Sequence, residues 1–342
     1  MVPSRVGGIM RSRIILAASA FVLGAALVLG TWTWVNATTR PILASGAQIS
    51  TNAWYSNNYS VAGAARATTS DGQNIWTANI TTNNVTKLNG TTGDLIGNYA
   101  VGTSPSAIAF DGGNFWVANM GSNNVTKLNG TTGAALGTYN VGTRPSAIVY
   151  DGSSIWVANA GSNNIMKLSM FTGAVMGTYA VGQGPAAMAL SGGSLWVVNT
   201  GSNNVSKVST GGTIIATITG VGNNPSAIAT DGRNVWVTSR DSSSVAKIDQ
   251  SGTVVGTYPL TAAAYSITFD QPGYSTSTSP NWDSSTYMWA THYYENLVSK
   301  IRVSDGVVVS VLPTASSPVS AAFDGTNIWI GSNGVVTKIR AR

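Results

Sequence analysis

A tryptophan returns every 40 residues along most of this chain, and that period constrains the fold more than any other feature. Trp76, Trp116, Trp156, Trp196 and Trp236 are each 40 apart, Trp289 follows after 53, and Trp329 after 40 more. A lysine keeps the same beat: Lys87, Lys127, Lys167, Lys207, Lys247, Lys300 and Lys338. A period of this length marks an architecture in which one supersecondary unit buries its faces only against its neighbours. A lysine that recurs with the unit belongs to its scaffold.

Each unit, such as "PSAIAFDGGNFWVANMGSNNVTKLNGTTGAALGTYNVG", divides into four short runs rich in Val, Ile, Ala, Thr and aromatics. Their length and β-branched content predict strands, here called a, b, c and d. Asp111-Gly112 and Asn129-Gly130 tolerate positive φ and are expected to form the tight a–b and c–d turns on one rim. The longer b–c and d–a links then lie on the opposite rim. Seven antiparallel four-stranded units predict an all-β, seven-bladed β-propeller over residues 54–342. The seventh unit ends at Arg342 without a d strand, and "NNYSVAGAAR" at 57–66 aligns with a d strand and precedes the first a strand. An N-terminal strand pairing residues 55–61 with 335–340 would complete the last blade and remove an open sheet edge.

With 39 glycines, 9% charged residues and no cysteine, the chain predicts one large all-β domain held by packing, without disulfides. The net charge of +6 does not signal a nucleic-acid partner, because Arg5, Arg11 and Arg13 are N-terminal and seven lysines are distributed one per unit. Residues 1–37 combine a basic start with the apolar run "IILAASAFVLGAALVLG", which predicts a secretory signal cleaved after Ala37 or a retained membrane anchor. Residues 38–53 read as a linker. Either way the propeller is expected to be extracytoplasmic: secreted, periplasmic or at the cell surface. It is expected to be monomeric, with no membrane contact beyond such an anchor.

The units, with "IWVAN", "GSNNVTKL" and "VGTRPSAI", resemble YVTN and NHL-type propeller repeats of exported and surface proteins. In blade count, blade length and aromatic b strand the chain is also similar to the virginiamycin B lyase group, seven-bladed propellers that open a cyclic peptide antibiotic by Mg²⁺-dependent elimination. That resemblance implies glutamates three residues after the tryptophans and Pro-His starts to some a strands. The first positions here are Asn79, Asn119, Asn159, Asn199, Ser239, His292 and Ser332; the second are Arg66, Ser106, Ser146, Ala186, Ser226, Tyr265 and Val319. Only His292 among them titrates near neutrality, and Glu295 is the sole glutamate. A reduced lyase site would therefore rest on His292 and Glu295, with Mg²⁺ as its cofactor; the other reading needs no cofactor. No cysteine nucleophile, G-x-S-x-G elbow, phosphate-cradling loop or Cys/His metal spacing is present.

The sixth unit departs most from the pattern. Its b–c link reads "THYYENL", which is expected to place His292, Tyr293, Tyr294 and Glu295 on the open rim. Tyr265 replaces a small residue at the start of its a strand, and Arg66 stands at the matching place in the first unit. These six form the candidate ligand-binding set, since aromatic rings give large contact area at low entropic cost. Drift of a late repeat, with the tyrosines packed on neighbours, is the competing reading. The same unit carries the insertion "QPGYSTSTSPNWDSSTY" at 271–287, a Ser/Thr-rich loop with Tyr274 and Trp282. The expected function is that of a non-catalytic binding or surface propeller, taking a small molecule, peptide, glycan or surface protein at its rim. The alternative is a lyase with a reduced site.

Overall fold

The computed structural model describes residues 56–270 and 286–341. The expectations for the N-terminal segment, the linker, Tyr274 and Trp282 lie outside the described residues. Within them every regular element is a strand, and the pairing is antiparallel throughout.

The second repeat shows the pattern. Strands Pro105–Phe110, Asn114–Asn119, Asn124–Asn129 and Ala135–Asn140 pair in sequence order as one four-stranded sheet. The a–b turn forms as expected: Gly112 takes φ 95°, and Asp111 Oδ1 accepts the N–H groups of Gly113 and Asn114 at 2.9 and 2.6 Å. The c–d turn differs from the expected Asn-Gly hairpin. Its left-handed residue is Gly133, at φ 75°, while Asn129 Oδ1 accepts the N–H groups of Thr131 and Thr132. Gly133 is needed twice over, because a Cβ there would also collide with the Tyr99 ring of the preceding repeat. The "NN" pair has a division of labour. Asn123 adopts φ 54° and its Oδ1 accepts the Arg144 N–H, tying the b–c link to the next d–a link; Asn124 Oδ1 accepts from Asn119 Nδ2.

All seven repeat tryptophans are buried, each at 0 or 1% exposure. A feature that the turn reading of Asp-Gly misses explains how a polar indole survives there: the N–H donates to an aspartate carboxylate in six repeats, from Trp76 to Asp71 through Trp329 to Asp324. In the fourth repeat Trp196 donates to the backbone oxygen of Ser191 instead. The repeat lysine lies 4.7 to 5.2 Å from its tryptophan ring centroid. Its Nζ donates to carbonyls of the next repeat at 2.6 to 3.2 Å: Lys87 to Gly130 and Thr131, Lys127 to Met170, Lys167 to Thr210, Lys207 to Gln250, Lys247 to Val303 and Lys300 to Ala341. Lys338, the last, donates to Gly90 and Thr91 of the first repeat.

Five sheets have four strands each. A sixth has seven, because the long strand Ser56–Ser70 belongs to both ends of the chain. Ser56–Ser60 pair with Ile339–Val335, and after a register shift Ala65–Ser70 pair with Asn79–Ile75 as the first a strand. The a strands touch in order from repeat to repeat, and that of the last, Ser320–Phe323, touches Ser56–Ser70.

Candidate functional site

The serines at the second residue of the a strand show what the scaffold asks of that position. Ser106 Oγ–H is within reach of the Ala118 and Pro145 carbonyls, at 3.1 and 2.7 Å, and Ser146 of those of Ala158 and Pro185. The hydroxyl thus staples one a strand to the start of the next. Arg66 and Tyr265 occupy the same position and cannot make that short staple.

Instead they gather with residues from the neighbouring links. The Tyr265 and Tyr293 ring centroids are 5.1 Å apart, tilted by 34°. Tyr294 stands edge-on to both, at 5.9 Å from Tyr265 and 5.0 Å from Tyr293. A hydrogen bond with Tyr265 is the main cause that raises the Tyr294 phenol above its ordinary pKa. The guanidinium carbon of Arg240 lies 4.7 Å from the Tyr265 centroid, a cation–π contact. Arg66 is within electrostatic reach of Arg240, Tyr265 and Tyr293. Loss of hydration, followed by repulsion from Arg240, pushes its pKa below the ordinary value, although the Arg66 side chain keeps solvent access. Among the described residues neither arginine is in ion-pair distance of a carboxylate, and Arg240 Nε is buried with no hydrogen-bond partner.

Arg240 was missed by sequence reasoning although its signal is plain. It directly follows the b strand, where the earlier repeats carry Ile80, Met120, Ala160 and Thr200.

His292 does not stand on the rim, as the loop reading expects; it is fully buried. It is the last residue of strand Tyr287–His292 and pairs with Leu297, so its side chain points into the sheet packing. There it replaces the buried asparagine of other repeats. Asn199 Nδ2 donates to Ser206 Oγ at 2.9 Å, and His292 Nε2 lies 2.7 Å from Ser299 Oγ. Its Nδ1 lies 3.1 Å from the Ala262 carbonyl. The arrangement fits a neutral ring that donates from Nδ1 and accepts the Ser299 hydroxyl at Nε2. Burial pushes its pKa below the ordinary 6.5, outweighing the pulls of Ala263, Glu295 and Ala262. Glu295 is exposed on the link. Tyr265, Tyr293 and Tyr294 of the candidate set are therefore brought together, with Arg66 in electrostatic reach of the first two; His292 lies in the packing, with both ring nitrogens engaged.

Two concavities lined by described residues lie away from this cluster. One is lined by the other ends of a strands, including Thr68, Ser70, Phe269, Ala322 and Asp324; the other is a groove between the third and fourth repeats, at Gly182, Gln183, Ser202 and Thr217.

No family model matches the chain, and no curated protein sequence matches it. Solved structures do. A streptogramin B lyase superposes with a TM-score of 0.70 at 18% identity, covering 84% of this chain and 97% of that one. A catalytically inactive virginiamycin B lyase from Staphylococcus aureus with quinupristin gives 0.71 at 16% identity, covering 84% and 99%. Kuenenia stuttgartiensis hydrazine synthase gives 0.68 at 19% identity, covering 81% and 95%. Repeated four-stranded antiparallel sheets in this arrangement decide the architecture. The fold is a β-propeller. At these identities the likeness speaks for the propeller's fold alone, since propellers host many unrelated activities. The Arg66–Tyr265 cluster is a feature of this propeller's own side chains.

Proposed function

We propose that the chain is an exported, non-catalytic binding protein: a closed seven-bladed propeller whose channel mouth holds a ligand at Arg66, Arg240, Tyr265, Tyr293 and Tyr294. Closure is supported by the Lys338 contact to the first repeat, by Ser56–Ser60 filling the d position of the last repeat, and by the touching a strands of the last and first repeats. Export is supported by the basic and apolar character of residues 1–37.

The observation that carries the binding reading is convergence. Side chains from the first, fifth and sixth repeats meet, and each departs from what the scaffold places at its position. A drifted repeat would show scattered departures, whereas Arg240, Tyr265, Tyr293 and Tyr294 are in contact and Arg66 is within their electrostatic reach. A thermal-shift screen of small molecules, peptides and glycans tests the reading. Ligands that stabilise the protein are expected to lose their effect on a Tyr265→Ala, Tyr294→Ala double variant; hits indifferent to that variant would place the site elsewhere. Export is tested by fractionating cells that produce the full chain or residues 38–342.

A second reading, Mg²⁺-dependent lyase action, is favoured by the structural likeness to streptogramin B lyases. Elimination needs a base with a free lone pair, and both His292 nitrogens are occupied. We therefore expect no ring opening of a streptogramin B-type depsipeptide with Mg²⁺ present. Ring opening that is lost in His292→Ala and Glu295→Gln would establish the lyase.

A further inference from the structure

Arg240 packs on the tyrosine cluster with Arg66 in electrostatic reach of both, and with no carboxylate in ion-pair distance among the described residues two such like charges are an arrangement that stability does not favour. Arg66 comes from the first repeat and Arg240 from the fifth, so their proximity is a product of the fold and not of chain neighbourhood. Each stands where the other repeats carry an uncharged residue. Arg240 is held by the face of Tyr265 at 4.7 Å, and its Nε has no acceptor. Glu295, the one glutamate, is exposed on its link and in ion-pair distance of neither arginine.

An oxyanion supplies what this site lacks. The planar fork of arginine matches a carboxylate or sulfate geometrically, and charge-assisted bonds of this kind are the strong ones. Beside the arginines, Tyr294 is 70% exposed and stands edge-on to Tyr265 and Tyr293, leaving ring surface open to a second flat group.

We propose, resting on the channel-mouth reading above, that Arg66 and Arg240 together bind one oxyanion carried on a ring, aromatic or pyranose, whose apolar face packs against Tyr294. Aromatic acids and acidic sugars both present this chemistry, and the experiment separates them.

The full chain is titrated calorimetrically with benzoate and phenyl sulfate against neutral benzyl alcohol, and with glucuronate against glucose. At least one anionic ring is expected to bind tenfold or more tightly than its neutral counterpart; which pair shows the preference identifies the source. Arg66→Gln and Arg240→Gln are each expected to abolish that preference, while Arg144→Gln, an exposed arginine of a d–a link outside the cluster, leaves it intact. Tyr294→Ala is expected to weaken charged and neutral rings alike. Equal binding of charged and neutral rings, an unchanged preference in both arginine variants, or no binding of any of the anionic rings would overturn the proposal. Indifference of every binding ligand to Tyr294→Ala would overturn the ring contact proposed here, whereas indifference to the Tyr265→Ala, Tyr294→Ala double variant would remove the channel-mouth reading as well. Both arginine variants are checked by melting. Relief of like-charge repulsion offsets the loss of the Arg240 cation–π contact, so both variants are expected to keep a cooperative melt and lost binding will not be confused with lost fold.

Discussion

Lys338 donates to the carbonyl of Gly90 at 2.9 Å across 248 positions of chain. The same bond joins Lys127 to Met170 at 2.7 Å, 43 positions away. The chemistry is therefore that of every repeat contact, and only the sequence separation differs. Replacing either lysine by methionine keeps the aliphatic stem but leaves a carbonyl without its donor and removes the cation–π contact. Lys127→Met and Lys338→Met are each expected to cost about 1 to 3 kcal/mol in denaturant unfolding. A negligible effect of Lys338→Met beside a clear effect of Lys127→Met would count against a closed ring.

Removing the N-terminal strand is the stronger test of closure. Residues 62–342 lack Ser56–Ser60 and expose the edge of Asn333–Arg340. They are expected to melt well below residues 38–342, and to aggregate on heating. Equal melting temperatures would show that the strand is dispensable.

The aspartates beneath the tryptophans make stability sensitive to acid. Burial pushes the Asp111 carboxyl up, but the hydrogen bonds from Trp116, Asn114 and Gly113 together outweigh it and hold it below the ordinary 3.8. Asp71, Asp151 and Asp324 behave alike. A depressed carboxyl contributes stability that is present above the unfolded value and lost as pH falls through the folded one. Stability is thus expected to drop below about pH 4. Asp111→Ala strands the indole and two backbone N–H groups and is expected to cost about 2 to 4 kcal/mol. It should also make the acid limb of the stability profile shallower, which urea melts across pH would show.

His292 adds a second, earlier window. Its folded pKa is depressed, so the unfolded chain takes up the proton first, and stability is expected to decline as pH falls below 6.5. Because Asn79, Asn119, Asn159 and Asn199 fill the same place, His292→Asn is expected to fold normally and to lose this component. A His292 resonance that titrates at or above 6.5 would contradict the buried neutral ring.

The repeat was legible because its period is written in large residues: tryptophan and lysine mark the b and c strands, and glycine with asparagine marks the turns. The Asp111–Trp116 bond was equally legible, as a five-residue spacing that recurs in most repeats, but an aspartate before glycine also satisfies a turn and conceals its second partner. His292 was misplaced for a local reason. The b strand runs to its own last residue, so the side chain falls on the buried face and not in the link that follows. The meeting of Arg66 with Arg240 was not legible at all. Repeat phase tells where a residue sits in its own sheet; what it faces depends on how far the stacked sheets turn, and no residue pattern records that angle.

Because Asn58 meets Thr337 across 279 positions, the earliest part of the fold to be synthesised waits for the latest. At a translation rate of about 5 to 20 residues per second, Ser56–Ser60 remain without their partner strand for roughly 15 to 55 s. Throughout that interval Ser56–Ser60 have no partner strand to pair with. A chaperone that shields Ser56–Ser60 during this time would decide the yield of native protein, whatever the final stability of the sheets.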